Sequence, residues 1–284
     1  MIPYDDVVSH MTSLGQKVGE VNMAGRMNVA GQLGIPCAEK GICTGICLDW
    51  TRRVLLGHAC SYTPKEDKLL AAKRSTMVNQ IKRMAKGHGV WFDAEIQARH
   101  KKAEERQWMR ENQKDSDQEL EEFYRRSHLP NAWRTYCDVM DPILKQLRVG
   151  ALKAGDVKRP FNMIELLPPA NAALTGTPRI MLDSILHSRA RDVSPELGEN
   201  MCAMLGLCFW VRGTSNPTVH HSVAFIKLGG GFYQFIDPNY GVYVYDLHSL
   251  YVAFEYLLND VYPADSTWGA VTHGDYVLFR VARS

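Results

Sequence analysis

An excess of charge of one sign is the first thing missing from this sequence. Its 33 lysines and arginines stand against 31 acidic residues, a formal net charge of +2. That balance supplies no electrostatic footprint for a phosphate backbone, so no nucleic-acid partner is expected. Long apolar runs are missing too. No stretch nears the roughly 20 consecutive apolar residues that span a bilayer, and stable membrane insertion is not expected. The opening residues Met1-Ile2-Pro3-Tyr4-Asp5-Asp6 have neither the basic start nor the apolar run of a secretory signal peptide. Export, where it occurs, is expected by a route that needs no such signal. Cysteines are few and odd in number. The seven, at positions 37, 43, 47, 60, 137, 202 and 208, form no CxxC pair, which argues against a disulfide framework and against a structural zinc site. Most fit as buried small hydrophobes, with room for one reactive thiol. No metal or other cofactor is expected.

What is present suits a folded protein. The chain has 284 residues, 45% of them hydrophobic, enough to bury one sizeable core with a helical attachment. Val7, Met11, Leu14 and Val18 recur at helical spacing over residues 4–18. Glycines at 15, 19, 25, 31 and 34 then make the approach to residue 40 loop-like. Ile46, Cys47, Trp50 and Val54 mark the buried face of a helix over 43–56. Thr63-Pro64-Lys65-Glu66 reads as an N-cap, a proline at the first helical position and a glutamate closing a capping box. The helix it starts is expected to stop at Gly87-His88-Gly89.

Residues 93–126 are the most polar stretch, with 18 of 34 residues charged. They read as an exposed helix or helical hairpin, most simply a solvated surface and otherwise a partner-binding arm. Residues 131–149 look helical. The stretch 150–178, rich in proline and glycine, reads as irregular, with short helices after it near 179–188 and 195–204. Texture then changes. Residues 207–212, 221–228, 232–236 and 242–245 are short, apolar and rich in β-branched or aromatic residues, and Gly229-Gly230-Gly231 and Asp237-Pro238-Asn239-Tyr240-Gly241 separate the last three. That is an antiparallel meander, followed by a helix over 246–259 and a strand over 275–281. Helices first and a sheet afterwards make the class α+β.

A thiol becomes a useful nucleophile when its thiolate is favoured, and a helix N-terminus favours it. Cys43 sits where a helix begins, after Gly41-Ile42. The thiolate also needs an imidazole beside it, and the imidazole needs a group that fixes its tautomer. His221 opens a central strand, and Asp237 stands one residue past the end of the next, 16 residues after His221. A glycine hairpin between the two strands would bring these positions together.

Three short blocks, in order, resemble the YopT/AvrPphB-type cysteine proteases. Gly41-Ile42-Cys43-Thr44-Gly45-Ile46-Cys47-Leu48-Asp49-Trp50 looks like that family's nucleophile helix. His221-Ser222-Val223-Ala224 is similar to its His-Ala-Val-Ala type of strand, and Phe235-Ile236-Asp237-Pro238-Asn239-Tyr240-Gly241 to its Asp-Pro-Asn-x-Gly turn. The blocks cover under a tenth of the chain. The resemblance implies a papain-like fold, in a single catalytic domain over 1–284, with Cys43 as nucleophile, His221 as base and Asp237 as the orienting carboxylate. It also implies a bacterial effector protease, delivered into a target cell and acting on a protein in its cytoplasm. The sequence departs from the family in places. The 178 residues from Cys43 to His221 exceed the family's spacing, which makes about 73–160 a charged helical insertion. Ser222 stands where the family has alanine. Papain-like enzymes also carry an amide donor for the oxyanion shortly before the cysteine, and Gln32 is the candidate here. Cys47, one turn into the helix, is expected to serve packing. Strand alternation turns His220 away from His221.

Three functions remain open on the sequence. One is an endopeptidase acting on a protein. Another is the same triad used for a different acyl transfer, such as peptidoglycan amide cleavage, glutamine deamidation or transglutamination. The last is a silent binding module that works through residues 93–126.

Overall fold

The computed structural model of the chain describes residues 2–21, 42–55, 74–114, 152–154, 161–164, 201–212, 218–262 and 270–283, with isolated positions between 26 and 34 and between 119 and 127. Helix α1, Tyr4–Leu14, starts after Pro3, carries Asp5 and Asp6 in its first turn and buries Val7 and Met11. Acidic groups there complement the positive end of the helix dipole. The helix stops at Gly15, short of the expected residue 18. Residues Gln16–Gly19 instead form strand β1, pairing antiparallel with β7, Gly241–Asp246. Glycine is a poor helix former, and the backbone bonds to β7 replace the last turn.

Helix α2, Cys43–Leu55, buries every residue from Cys43 to Thr51. Helix α3, Arg74–Glu111, runs through Gly87 and Gly89 without a break, against the expected stop. Each glycine costs only about 1 kcal/mol in a helix interior. Good helix formers flank both of them (Met84, Ala85 and Lys86 before, Ala94, Glu95 and Gln97 after), and Ile81, Met84 and Ala85 are buried. Gln113, at φ 52°, turns the chain. Trp108 then stacks on Phe123 at 4.4 Å between ring centroids, so the charged segment doubles back as a hairpin. The Thr63 capping box and the helices expected at 131–149 and 179–188 lie outside the described residues.

Among the described residues one antiparallel sheet has the order β1-β7-β6-β5-β4-β8-β2, with β3 also paired to β8. Its strands include β2, Leu152–Ala154, and β3, Phe161–Ile164, in the stretch expected to be irregular. Leu152–Ala154, within the 73–160 expected as a helical insertion, are therefore a strand of the sheet. β4, Met201–Arg212, claims residues 201–204 that read as helix. Met201-Cys202-Ala203-Met204 has helix-forming composition, but the successive residues Cys202, Ala203, Met204 and Leu205 are all buried, and an apolar run of that kind does not reveal its own period. β5 is Thr218–Lys227, β6 is Phe232–Asp237, and β8, Ala270–Arg283, exceeds its expected bounds at both ends.

Strand alternation gives the sheet two apolar faces. Leu205, Leu207, Val223, Phe225, Phe235 and Tyr243 pack with Val7 and Met11 of α1 and with α4, Leu247–Tyr256. Met204, Ser222, Ala224 and Ile236 are buried on the opposite face, where α2 lies across β4 and β5. The result is a mixed fold with helices on both sides of an antiparallel sheet. Asp246 caps α4 by accepting the Ser249 N–H at 2.7 Å. Among the described residues no helix is long and apolar enough to cross a membrane.

Gly45 sets how closely α2 and α3 approach, since a Cβ there would stand 1.9 Å from the Met84 carbonyl oxygen. By helix propensity alone, Gly45→Ala would stabilise α2 by about 1 kcal/mol. Overpacking against backbone reverses that sign, so Gly45→Ala is expected to destabilise by roughly 1–3 kcal/mol. A lowered urea midpoint would show it. A raised midpoint would contradict the close approach.

Candidate active site

The turn after β6 pins a carboxylate. Pro238 presets its local φ, Tyr240 N–H donates to the Asp237 carbonyl at 3.1 Å, and Asn239 N–H donates to Asp237 Oδ1 at 2.8 Å. Such an aspartate bonded to the backbone two residues on is what Asp-x-Asn turns favour. Gly241 closes the turn at φ 120°, where a Cβ would lie 2.7 Å from the Gly19 carbonyl oxygen. Asp237 is fully buried.

β5 brings the imidazole. Ala224 pairs with Ile236, so Asp237 lies diagonally across from His221 on one face of the sheet. His221 Nε2 stands 3.1 Å from Asp237 Oδ1, and both side chains are buried. His220 is half-buried on the other face.

α2 brings the thiol. The Ile46 N–H donates to the Ile42 carbonyl at 2.9 Å, which puts Cys43 at the first helical position, nearly buried. Its side chain hydrogen-bonds with His221. Two further contacts clamp the helix onto the strand. Thr44 Oγ1 and Ser222 Oγ are 2.6 Å apart, and the Cys47 thiol donates to the Ser222 carbonyl at 3.3 Å. Ser222 thus holds α2 against β5. Burial first, and then the nearby Cys43 and Asp237, push the Cys47 thiol well above its ordinary range. Cys47 is a packing residue.

Burial alone would disfavour the His221 imidazolium. The charge of Asp237, its hydrogen bond and then Cys43 outweigh burial and raise His221 to about 10. The imidazole is therefore held in its charged form through neutral pH.

Tyr262 was not among the residues singled out in the sequence, yet it belongs to the site. Its hydroxyl donates to Asp237 Oδ2, and its ring meets the His221 ring edge-on at 5.2 Å. Burial, followed by the charge of Asp237 and their hydrogen bond, raises its phenol well above the ordinary range, so it stays a donor. The Asn239 N–H belongs to a legible turn, whereas nothing near Tyr262 marks it. The fourth expected residue is placed apart in its contacts: Gln32 is exposed and its Nε2 donates to Asn28 Oδ1 at 3.4 Å.

No protein-family model matches the sequence, and no curated protein matches it. Among solved structures, the chain is similar to the crystal structure of the Pseudomonas avirulence protein AvrPphB, at 13% identity and a TM-score of 0.41. The match covers 85% of this chain and 91% of that one.

Proposed function

We propose that the chain is a papain-like cysteine protease in which Cys43 is the nucleophile, His221 the general base and acid, and Asp237 the group that orients His221. The observation that carries this reading is the buried line of contacts from Cys43 through His221 to Asp237. The resemblance of three sequence blocks to the YopT/AvrPphB-type proteases supports it and adds delivery into a target cell. With Nε2 engaged by Asp237, Nδ1 is the nitrogen left for the thiol. In the resting pair the imidazolium already carries the thiol proton, and the thiolate sulfur bonds to the substrate carbonyl carbon. The tetrahedral adduct collapses to a thioester, and the amine leaves with the proton that the imidazolium returns. Water, deprotonated by the same imidazole, then splits the thioester and restores the thiol. Gln32 enters as oxyanion donor by exchanging Asn28 for the substrate. Residues 93–126 enter as the arm that selects the protein substrate.

The test is N-terminal labelling of target-cell lysate incubated with the protein and with its Cys43→Ala form. New N-termini are expected with the first only. Equal labelling with both would contradict the protease reading, and deamidated glutamines in place of new termini would favour the other acyl transfer. In the same assay Gln32→Ala should cut cleavage about 10²-fold. A Gly-Ser linker in place of 93–126 should abolish lysate cleavage while Cys43 still alkylates, and undiminished cleavage would make the arm a solvated surface.

A further inference from the structure

Helix α4 does not continue as an ordinary α-helix. Residues Leu257–Val261 form a π-helical turn, and the Tyr262 N–H donates five residues back, to the Leu257 carbonyl. Single π turns are rare and collect at functional sites. This one has a geometric consequence. Leu250, Phe254, Leu258 and Tyr262 recur every four residues and are all buried. At 3.6 residues per turn a four-residue repeat drifts around the helix. The wider turn takes up that drift and keeps Tyr262 on the face turned toward the sheet.

There its hydroxyl reaches Asp237 Oδ2, the carboxylate oxygen opposite the one that receives His221 and the Asn239 N–H. One oxygen is thus held by the turn and the imidazole, and the other by the phenol. The ring stands edge-on to His221, and Phe209 backs it at 5.8 Å. Without the phenol, the carboxylate can rotate about its Cβ–Cγ bond, and one buried oxygen loses its donor.

We propose that Tyr262, delivered by the π turn, is the positioning residue of this site: its hydroxyl fixes the plane of the Asp237 carboxylate and its ring shields the Asp237–His221 bond from water. The role rests on the cysteine-protease reading above, and Tyr262 acts only through Asp237. That dependence separates it from a residue that merely fills the core, whose loss would add independently to the loss of Asp237.

The probe is iodoacetamide, and the rate is that of Cys43 alkylation at pH 6 in the full chain. Tyr262→Phe is expected to slow it roughly tenfold through misplacement of the imidazole. Asp237→Asn should slow it more, and the double variant should match Asp237→Asn alone. A wild-type rate in Tyr262→Phe, or losses that multiply in the double variant, would overturn the role. Nitrogen-edited NMR decides the point independently of reactivity. The His221 Nε2 proton should shift in Tyr262→Phe, and an unmoved resonance would overturn the role. Wild-type spectra need no variant: a slowly exchanging Tyr262 hydroxyl proton beside the His221 ring is expected, and its absence is contrary evidence. A wild-type Cys43 no faster than the other cysteines would defeat the nucleophile assignment instead, and the spectra would still judge Tyr262.

Discussion

Replacing His221 by alanine is expected to lower turnover by roughly 10⁴-fold or more, because the thiol then has neither a base nor a proton donor for the leaving amine. Asp237→Asn should cost less, about 10²–10⁴-fold. The amide oxygen can still accept from Nε2 while Asn239 N–H holds it, but the negative charge is gone and Tyr262 faces an NH2 group. Cleavage of a substrate identified by N-terminal labelling would be the measurement, with folding checked by the urea midpoint. His220→Ala is the control. The imidazole bonded to Asp237 is that of His221, so this variant should retain near-wild-type rates. An active His221→Ala beside an inactive His220→Ala would mean that the strand presents the wrong histidine.

The second large effect is in pH dependence. His221 rises from its ordinary 6.5 to about 10, chiefly because the charge of Asp237 overcomes burial. A group raised on folding binds its proton more tightly in the native state. Its stabilising contribution is therefore fully present below about pH 6.5 and is lost as pH rises through about 10. The imidazolium is also the proton donor to the leaving group, so kcat/KM should fall along an alkaline limb near pH 10. In Asp237→Asn that limb should move down, since burial is then opposed by Cys43 without the charge of Asp237. A limb that stays in place would show that the charge of Asp237 does not hold the imidazolium.

Some of this organisation is legible in the sequence for physical reasons. Cys43 and Asp237 sit at the edges of their elements, where glycine or proline leaves a local mark, and His221 marks the start of an apolar run although β5 itself begins three residues earlier, at Thr218. The Asp237 turn carries its own hydrogen bonds within five residues, so its geometry is encoded locally. Other features are set by distant partners. Tyr262 meets Asp237 across 25 residues, through a π turn that no composition signals. Residues 16–18 prolong a helical pattern but pair with β7, more than 200 residues on. Residues 202–204 have no period to read because they are covered on both faces. Gly87 and Gly89 look like stops, yet a helix already anchored through Ile81, Met84 and Ala85 absorbs their cost.

Alkylation at pH 6 tests most directly whether Cys43 and His221 form an activated pair. An ordinary thiol with a pKa near 8.5 is then about one part in 300 thiolate. A thiolate held beside an imidazolium should react roughly ten to a hundred times faster, its greater abundance partly offset by lower intrinsic nucleophilicity. Peptide mapping after brief exposure to iodoacetamide should find Cys43 labelled ahead of the other six cysteines, with the preference lost in His221→Ala. Uniform labelling, preferential labelling of Cys47, or a preference that survives His221→Ala would contradict the pair.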